Sequence, residues 1–105
     1  MCNSQDLEFR KIYIVEPSHV LGAAKRYSKR ISLLTDGGEK SSELKEKIEK
    51  ALVDFDFSTD CLIPMGKVVS CMITGMVIMD MLPIGQALTI GVYRGDGYAF
   101  IEVTR

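Results

Sequence analysis

The sequence has little of what most metal, disulfide and redox sites require. Its 105 residues contain one histidine, His19, and three cysteines, Cys2, Cys61 and Cys71, without C-x-x-C spacing. This set excludes a multi-histidine metal centre and does not favour a zinc site. Cys61 and Cys71 lie inside apolar segments, where a thiol behaves as a small hydrophobic side chain. We therefore predict no metal and no cofactor, and a reducing, cytoplasmic environment.

A charge excess and a long hydrophobic run are lacking as well. The 13 basic and 14 acidic residues leave a net charge of −1, so the composition gives no strong signal for nucleic acid or an anionic membrane. The longest helix-like apolar run without a charge, residues 68–79, is shorter than the ~18 residues that span a bilayer. Residues 1–10 contain no apolar stretch that could serve as a signal peptide. We expect a chain with no membrane association.

What the sequence does contain is a regular alternation of strand and helix patterns. Strands are predicted at residues 11–16, 30–35, 61–65, 87–94 and 98–104, and helices at residues 19–28, from Ser41 or Ser42 to about Phe55, and at 67–82. The order β-α-β-α-β-α-β-β is typical of an α/β fold with a mostly parallel sheet and a C-terminal antiparallel hairpin. We expect residues 1–105 to form a single domain, with residues 1–8 flexible.

The second and third helices have contrasting patterns. The second has an apolar stripe that includes Leu44, Ile48 and Leu52, and charged side chains opposite it, which indicates one face on the sheet and one in solvent. The third is apolar on nearly every side, with only a narrow polar stripe. A single sheet face would therefore leave apolar flanks of the third helix in water.

These flanks predict a dimer or partner interface on the third helix, at Val69, Ile73, Met76 and Met79. The edge of the C-terminal hairpin is the other surface through which we expect a dimer or partner contact. An alternative remains open, in which the short first helix and the N-terminal arm around Leu7 and Phe9 cover the third helix within one chain.

The ends of the first and third strands form a second candidate site. If the sheet is doubly wound, these strands flank its switch point, which brings together Glu16, Ser18, His19, Gly66 and Lys67. Two helix N-termini would face one crevice there, an arrangement that binds phosphate or carboxylate. The alternative is an ordinary strand-to-helix turn, because the chain has neither G-x-x-x-x-G-K-[ST] nor G-x-G-x-x-G.

The last two strands predict a hairpin with two unlike faces. Ile90, Val92, Ile101 and Val103 share one face, which we expect to be core. The other face carries aromatic side chains and is expected to be half covered.

The second half of the chain resembles a known group of proteins. Residues 60–66, D-C-L-I-P-M-G, precede the apolar third helix and a short hairpin at residues 92–103. This arrangement resembles small uncharacterised proteins carried by tailed bacteriophages, in which an acid, an apolar strand and a glycine recur before a hydrophobic helix. The resemblance implies an accessory viral protein that binds a host protein or a small molecule, and it assigns no activity and no residue roles. Cys61 and the number of methionines depart from it.

Three functions follow from these patterns. The favoured one is a small homodimeric interaction module that binds another protein. The alternative is a protein that binds or sequesters a nucleotide-like anion around Ser18 and the Gly66-Lys67 turn. An enzyme is the least favoured, because Glu16, His19 and Lys67 are the only acid–base set and no catalytic residue is predicted.

Overall fold

Strands and helices follow one another in the expected order. The structure is a computed structural model that describes residues 8–17, 21–95 and 97–105. Its elements are β1 (Lys11–Ile14), α1 (Leu21–Ala24), β2 (Ile31–Leu33), α2 (Ser41–Ala51), β3 (Asp60–Ile63), α3 (Val68–Met81), β4 (Ala87–Tyr93) and β5 (Tyr98–Thr104). The chain thus has an α/β fold, as the sequence predicts.

The five strands form one mixed sheet in the order β2-β1-β3-β4-β5. β1 pairs in parallel with both β2 and β3, and β3 pairs in parallel with β4. β5 returns antiparallel to β4 as a hairpin. The predicted sheet type is therefore confirmed. β2 lies on one side of β1, and β3 and the later strands lie on the other. The gap between β1 and β3 is therefore the switch point of a doubly wound sheet.

Two hydrophobic cores lie on opposite faces of the sheet. On one face, Ile48 of α2 and Leu52 just after it share a core with Val77 and Ile78 of α3 and Leu62 of β3. The core on the other face lies under the short α1 and contains Ile12, Ile14, Ala24, Tyr27, Cys61, Ile63 and Tyr98. α2 and α3 therefore pack side by side, away from α1.

This arrangement corrects one alternative for the covering of α3. Ala24 of α1 and Phe9 both pack in the core on the face opposite α3, and the Phe9 ring lies 5.1 Å from that of Phe100. Neither α1 nor Phe9 can cover the outer side of α3, so the alternative is wrong for these two parts of the chain. Leu7 lies outside the described residues, as do all but one of residues 1–8, whose predicted flexibility stays a prediction.

The first helix is shorter than the sequence predicts. Its described part, Leu21–Ala24, has one helical turn, and residues 18–20 are not described. Tyr27, beyond the end of α1, donates its N–H to the Ala24 carbonyl. A helix this short covers little of its face of the sheet, and aromatic side chains from the hairpin complete that core.

Candidate functional site

The ends of β1 and β3 do meet, and Glu16 lies at the centre of the junction. Its carboxylate accepts the Lys67 backbone N–H at 2.8 Å and the Ser70 hydroxyl at 2.7 Å. Lys67 is the N-cap residue of α3 and Ser70 lies in its first turn, where the helix dipole favours a negative charge. Glu16 therefore caps a helix whose N-cap residue lies 51 residues further along the chain.

The Gly66 backbone makes this cap possible. Gly66 has φ +131°, and a Cβ built on it would lie 2.5 Å from Oε1 of Glu16 and 2.6 Å from the Glu16 Cβ. Any other residue would be strained by the backbone conformation and would collide with the capping side chain. A glycine is thus required on steric grounds in the predicted strand-to-helix turn.

The charge on Glu16 is stabilised where it is buried. The hydrogen bond from the Lys67 N–H, followed by that from Ser70, lowers the pKa of Glu16 below its ordinary value, against the opposing effect of burial. The nearby Lys67 ammonium acts in the same direction, and it also donates to the Gly37 carbonyl at 2.9 Å. The positive end of α3 is thus neutralised within the chain.

A cavity of about 120 Å³ adjoins this junction. Both Glu16 and Glu39 line it, and Glu39 is anionic because a hydrogen bond from Lys47, supported by the Asp36 N–H, lowers its pKa to about 2. The space would hold a few water molecules, whereas pockets for drug-sized ligands enclose ~300–1,000 Å³.

Of the residues predicted at this site, the structure brings Glu16, Gly66 and Lys67 together, and Ser18 and His19 lie outside the described residues. The sequence reading missed Ser70 and Gly37, which bind the two charged side chains. A hydroxyl in an otherwise apolar helix was the available signal for Ser70.

The third helix has its polar and apolar sides reversed relative to an ordinary surface helix. Ser70 and Thr74 are each 1% exposed, and the Thr74 hydroxyl donates to the Ser70 carbonyl at 2.8 Å. Large apolar residues, with exposed fractions from 39% to 74%, form most of the side that faces solvent, and the exposed Asp80 lies beside them. We call these apolar residues the α3 outer face: Val68, Val69, Met72, Met76 and Met79.

Three of the four residues predicted for an interface are exposed, and the interface itself stays a prediction. Val69, Met76 and Met79 are exposed, whereas Ile73 is half-buried and packs against the core. Val68 and Met72, at 74% and 65% exposed, were not among them although they belong to the same face. Helical spacing alone could not separate these positions, because nearly every side of α3 is apolar.

A second apolar surface lies on the hairpin. Val92, Ile101 and Val103, which we call the hairpin patch, are 39%, 49% and 37% exposed. The expectation that their face of the hairpin is core is therefore wrong for these three. The reason is topological: β4 is joined to β5 by a tight hairpin instead of a helical crossover, so among the described residues no helix covers this end of the sheet.

The hairpin patch lies on the same side of the sheet as α3. Val103 is paired with Leu88, which belongs to the core that contains Val77 and Ile78 of α3, and Ile101 is paired with Ile90. Arg105, just after β5, donates to the Met79 and Leu82 carbonyls at 3.0 and 2.8 Å. The end of β5 is thus fastened to the C-terminal end of α3.

A groove of about 510 Å³ runs between α2 and α3. Val53, Met76 and Met81 contribute its apolar lining, and Lys45, Glu49 and Asp80 its charged side chains. The groove continues the exposed apolar surface of α3 from Met76 toward α2.

Comparison of the chain with protein-family models, with curated proteins and with solved structures finds no match. No helix in the described part of the chain is long and apolar enough to cross a membrane. Within those same residues, no cluster of three histidine, cysteine or acidic side chains could hold a metal ion. Any statement of function must therefore be argued from the exposed surfaces and the strand-end junction.

Proposed function

We propose that this protein is a small interaction module that works as a homodimer through the α3 outer face. The observation that supports this proposal is the reversal of α3, which places two valines and three methionines in solvent and two hydroxyl residues in the core. A contiguous apolar surface of this kind is typical of protein contacts, and methionine adapts well to an irregular partner surface.

The extent of the exposed surface also favours a protein partner. The α3 outer face and the hairpin patch comprise eight large apolar side chains that are 37% to 74% exposed. Eight such side chains are a substantial part of the ~20–30 residues that each partner contributes to a standard interface. The side chains of these eight residues carry no charge, so the surface offers nothing to a phosphate backbone or an acidic peptide.

The oligomeric state tests the proposal directly. We expect sedimentation velocity at micromolar concentration to give a mass of about twice 11.7 kDa. Met76→Lys should convert the protein to a folded monomer, because the substituted side chain is 68% exposed in one chain and would be buried in a dimer.

The matched control is Leu33→Lys. Leu33 is 40% exposed on β2, at the edge of the sheet opposite the hairpin, so its substitution should leave the mass unchanged. A wild-type protein that stays monomeric at high micromolar concentration would contradict the proposal.

The alternative proposal, a binding protein for a nucleotide-like anion, has less geometric support. The Lys67 N–H and the Ser70 hydroxyl, at the start of α3, are bound to Glu16, and two carboxylates line the adjoining small cavity. Thermal shift measurements with a nucleotide panel, on wild type and Lys67→Ala, distinguish the two. A stabilisation that Lys67→Ala abolishes would favour anion binding.

The resemblance to phage proteins adds a further proposal, that the dimer binds a host protein. It is supported by the pattern of residues 60–66 and the following apolar helix. Affinity purification from the native host, with wild type and the Met76→Lys monomer compared, would show whether binding depends on the dimer.

A further inference from the structure

The α3 outer face and the hairpin patch are complementary, because one belongs to a helix and the other to a sheet. Among the residues that the structure describes, α3 has the sheet beneath it and nothing over its outer face, and the hairpin patch is a sheet surface that no helix covers. In doubly wound domains a helix normally covers such a sheet surface. The protein therefore has one helix that can receive a sheet and one sheet patch that can receive a helix.

The two surfaces are adjacent and form one corner. The hairpin patch lies on the α3 side of the sheet, and Arg105 links the end of β5 to the carbonyls of Met79 and Leu82. Beside α3 and above β4 and β5 there is space for a further helix, in the same layer as α3.

We infer that a second copy of this chain fills the corner reciprocally, with α3 of each protomer lying over β4 and β5 of the other. The two α3 helices then lie side by side between two sheets. The α3 outer face of one protomer contacts the hairpin patch of its partner, and the symmetry repeats that contact. This inference rests on the proposed homodimer and specifies how it is built.

Two properties favour a copy of the chain over an unrelated partner. A twofold axis needs a self-complementary surface. The protein meets that requirement because the uncovered face of a helix lies beside an uncovered part of the sheet. The contact also occurs twice, so the exposed apolar area is covered on both protomers without burying a charge from these eight side chains, while Asp80 lies in the groove toward α2.

Gly75 adds a steric observation. It lies in the interior of α3, where glycine is unfavourable to the helix, and a Cβ built on it would meet no atom within 4 Å. No contact within the described part of the chain therefore requires a glycine here. The missing side chain leaves room for close approach of the partner's α3.

Paired charge substitutions test the arrangement. Met72→Lys alone and Ile101→Glu alone should each raise the dissociation constant by more than ~100-fold, because each homodimer would bury two unpaired charges. An equimolar mixture of the two variants should associate as a heterodimer. One of its two helix-to-hairpin contacts is then wild type, and the other joins the introduced lysine to the introduced glutamate.

Sedimentation velocity of each variant and of the mixture gives the readout, with circular dichroism to verify folding and Leu33→Lys as the control at the opposite sheet edge. Should a variant misfold, Met76→Lys with Val92→Glu provides a second pair. A monomeric wild type would overturn both the homodimer and this inference. A wild-type dimer that survives Ile101→Glu, or a mixture that stays monomeric, would overturn the reciprocal arrangement and leave the homodimer standing.

Discussion

The helices α2 and α3 lie side by side on one face of the sheet, yet they have opposite outer surfaces. α2 buries Leu44 and Ile48 and exposes charged residues such as Glu46 and Lys50, whose side chains lie 3.2 Å apart. α3 buries Val77 and Ile78 in the same core, but its outer face is apolar. The two helices therefore contribute to the same core but expose different kinds of side chain to solvent.

The difference shows that the described part of the chain gives no packing reason for an apolar outer face on α3. α2 demonstrates that this side of the sheet is compatible with a helix that has a charged exterior. The exposed apolar residues of α3 therefore support the proposed contact with a second protein molecule.

The largest expected effect tests whether the buried faces of α2 and α3 contribute equally to stability. Ile48→Ala in α2 and Ile78→Ala in α3 should each lower the free energy of unfolding by ~2–5 kcal/mol, because both side chains are fully buried in one core. Urea denaturation of both variants at the same protein concentration measures the losses. A loss below ~1 kcal/mol for Ile78→Ala alone would show that α3 packs less firmly than α2.

A smaller effect is expected at the start of α3, which depends on a residue from β1. Glu16→Gln should lower the free energy of unfolding near neutral pH by ~1–3 kcal/mol, since the charged acceptor of two hydrogen bonds is lost. Because the pKa of Glu16 is lowered in the folded state, its stabilisation is complete above the ordinary carboxyl pKa. It declines as the pH falls through the lowered value.

Chemical denaturation between pH 2 and pH 7 measures this dependence, and Glu16→Gln should remove part of it. The control is Glu49→Gln on the exposed side of α2, which should change the neutral-pH stability by less than ~0.5 kcal/mol. Equal losses for the two variants would contradict the capping role of Glu16.

The smallest expected effect is a change that stabilises the monomer and weakens the dimer. Gly75→Ala should raise the free energy of unfolding of the monomer by up to ~1 kcal/mol, because alanine favours the helix and the added Cβ meets open space. The same change should weaken the dimer several-fold if the partner's α3 approaches there.

Urea denaturation at low concentration and sedimentation at high concentration separate these two effects. Gly22→Ala is the matched control, since Gly22 is also helical with open space around its Cα but lies on α1, across the sheet from α3. A dimer unaffected by Gly75→Ala would place the partner's helix away from this position.

Much of the fold was predictable because local patterns specify it. Alternating strands and helices, with Gly66 before the third helix, predict a mostly parallel sheet and a C-terminal hairpin, and the structure has both. The meeting of Glu16 with Lys67 also followed from the switch point between β1 and β3. The first helix was overextended, because its weak pattern around Gly22 does not define an end.

The exposure of the hairpin could not be predicted from its strands. Ile101 and Val103 alternate as core residues do, and their shared face with Ile90 is confirmed by the register. Whether a helix lies above them depends on connections elsewhere in the sheet, because the tight turn from β4 to β5 contributes no covering element.

The sequence by itself determined that α3 is a helix too apolar to be covered by one sheet face. Only the tertiary structure decided which side of it faces inward, because apolar residues on nearly every side give no preferred orientation. Ser70 and Thr74 turn inward because Glu16, 54 residues before Ser70, accepts the Ser70 hydroxyl at the buried end of β1. That long-range hydrogen bond helps to orient the helix, and it leaves valine and methionine side chains at the surface.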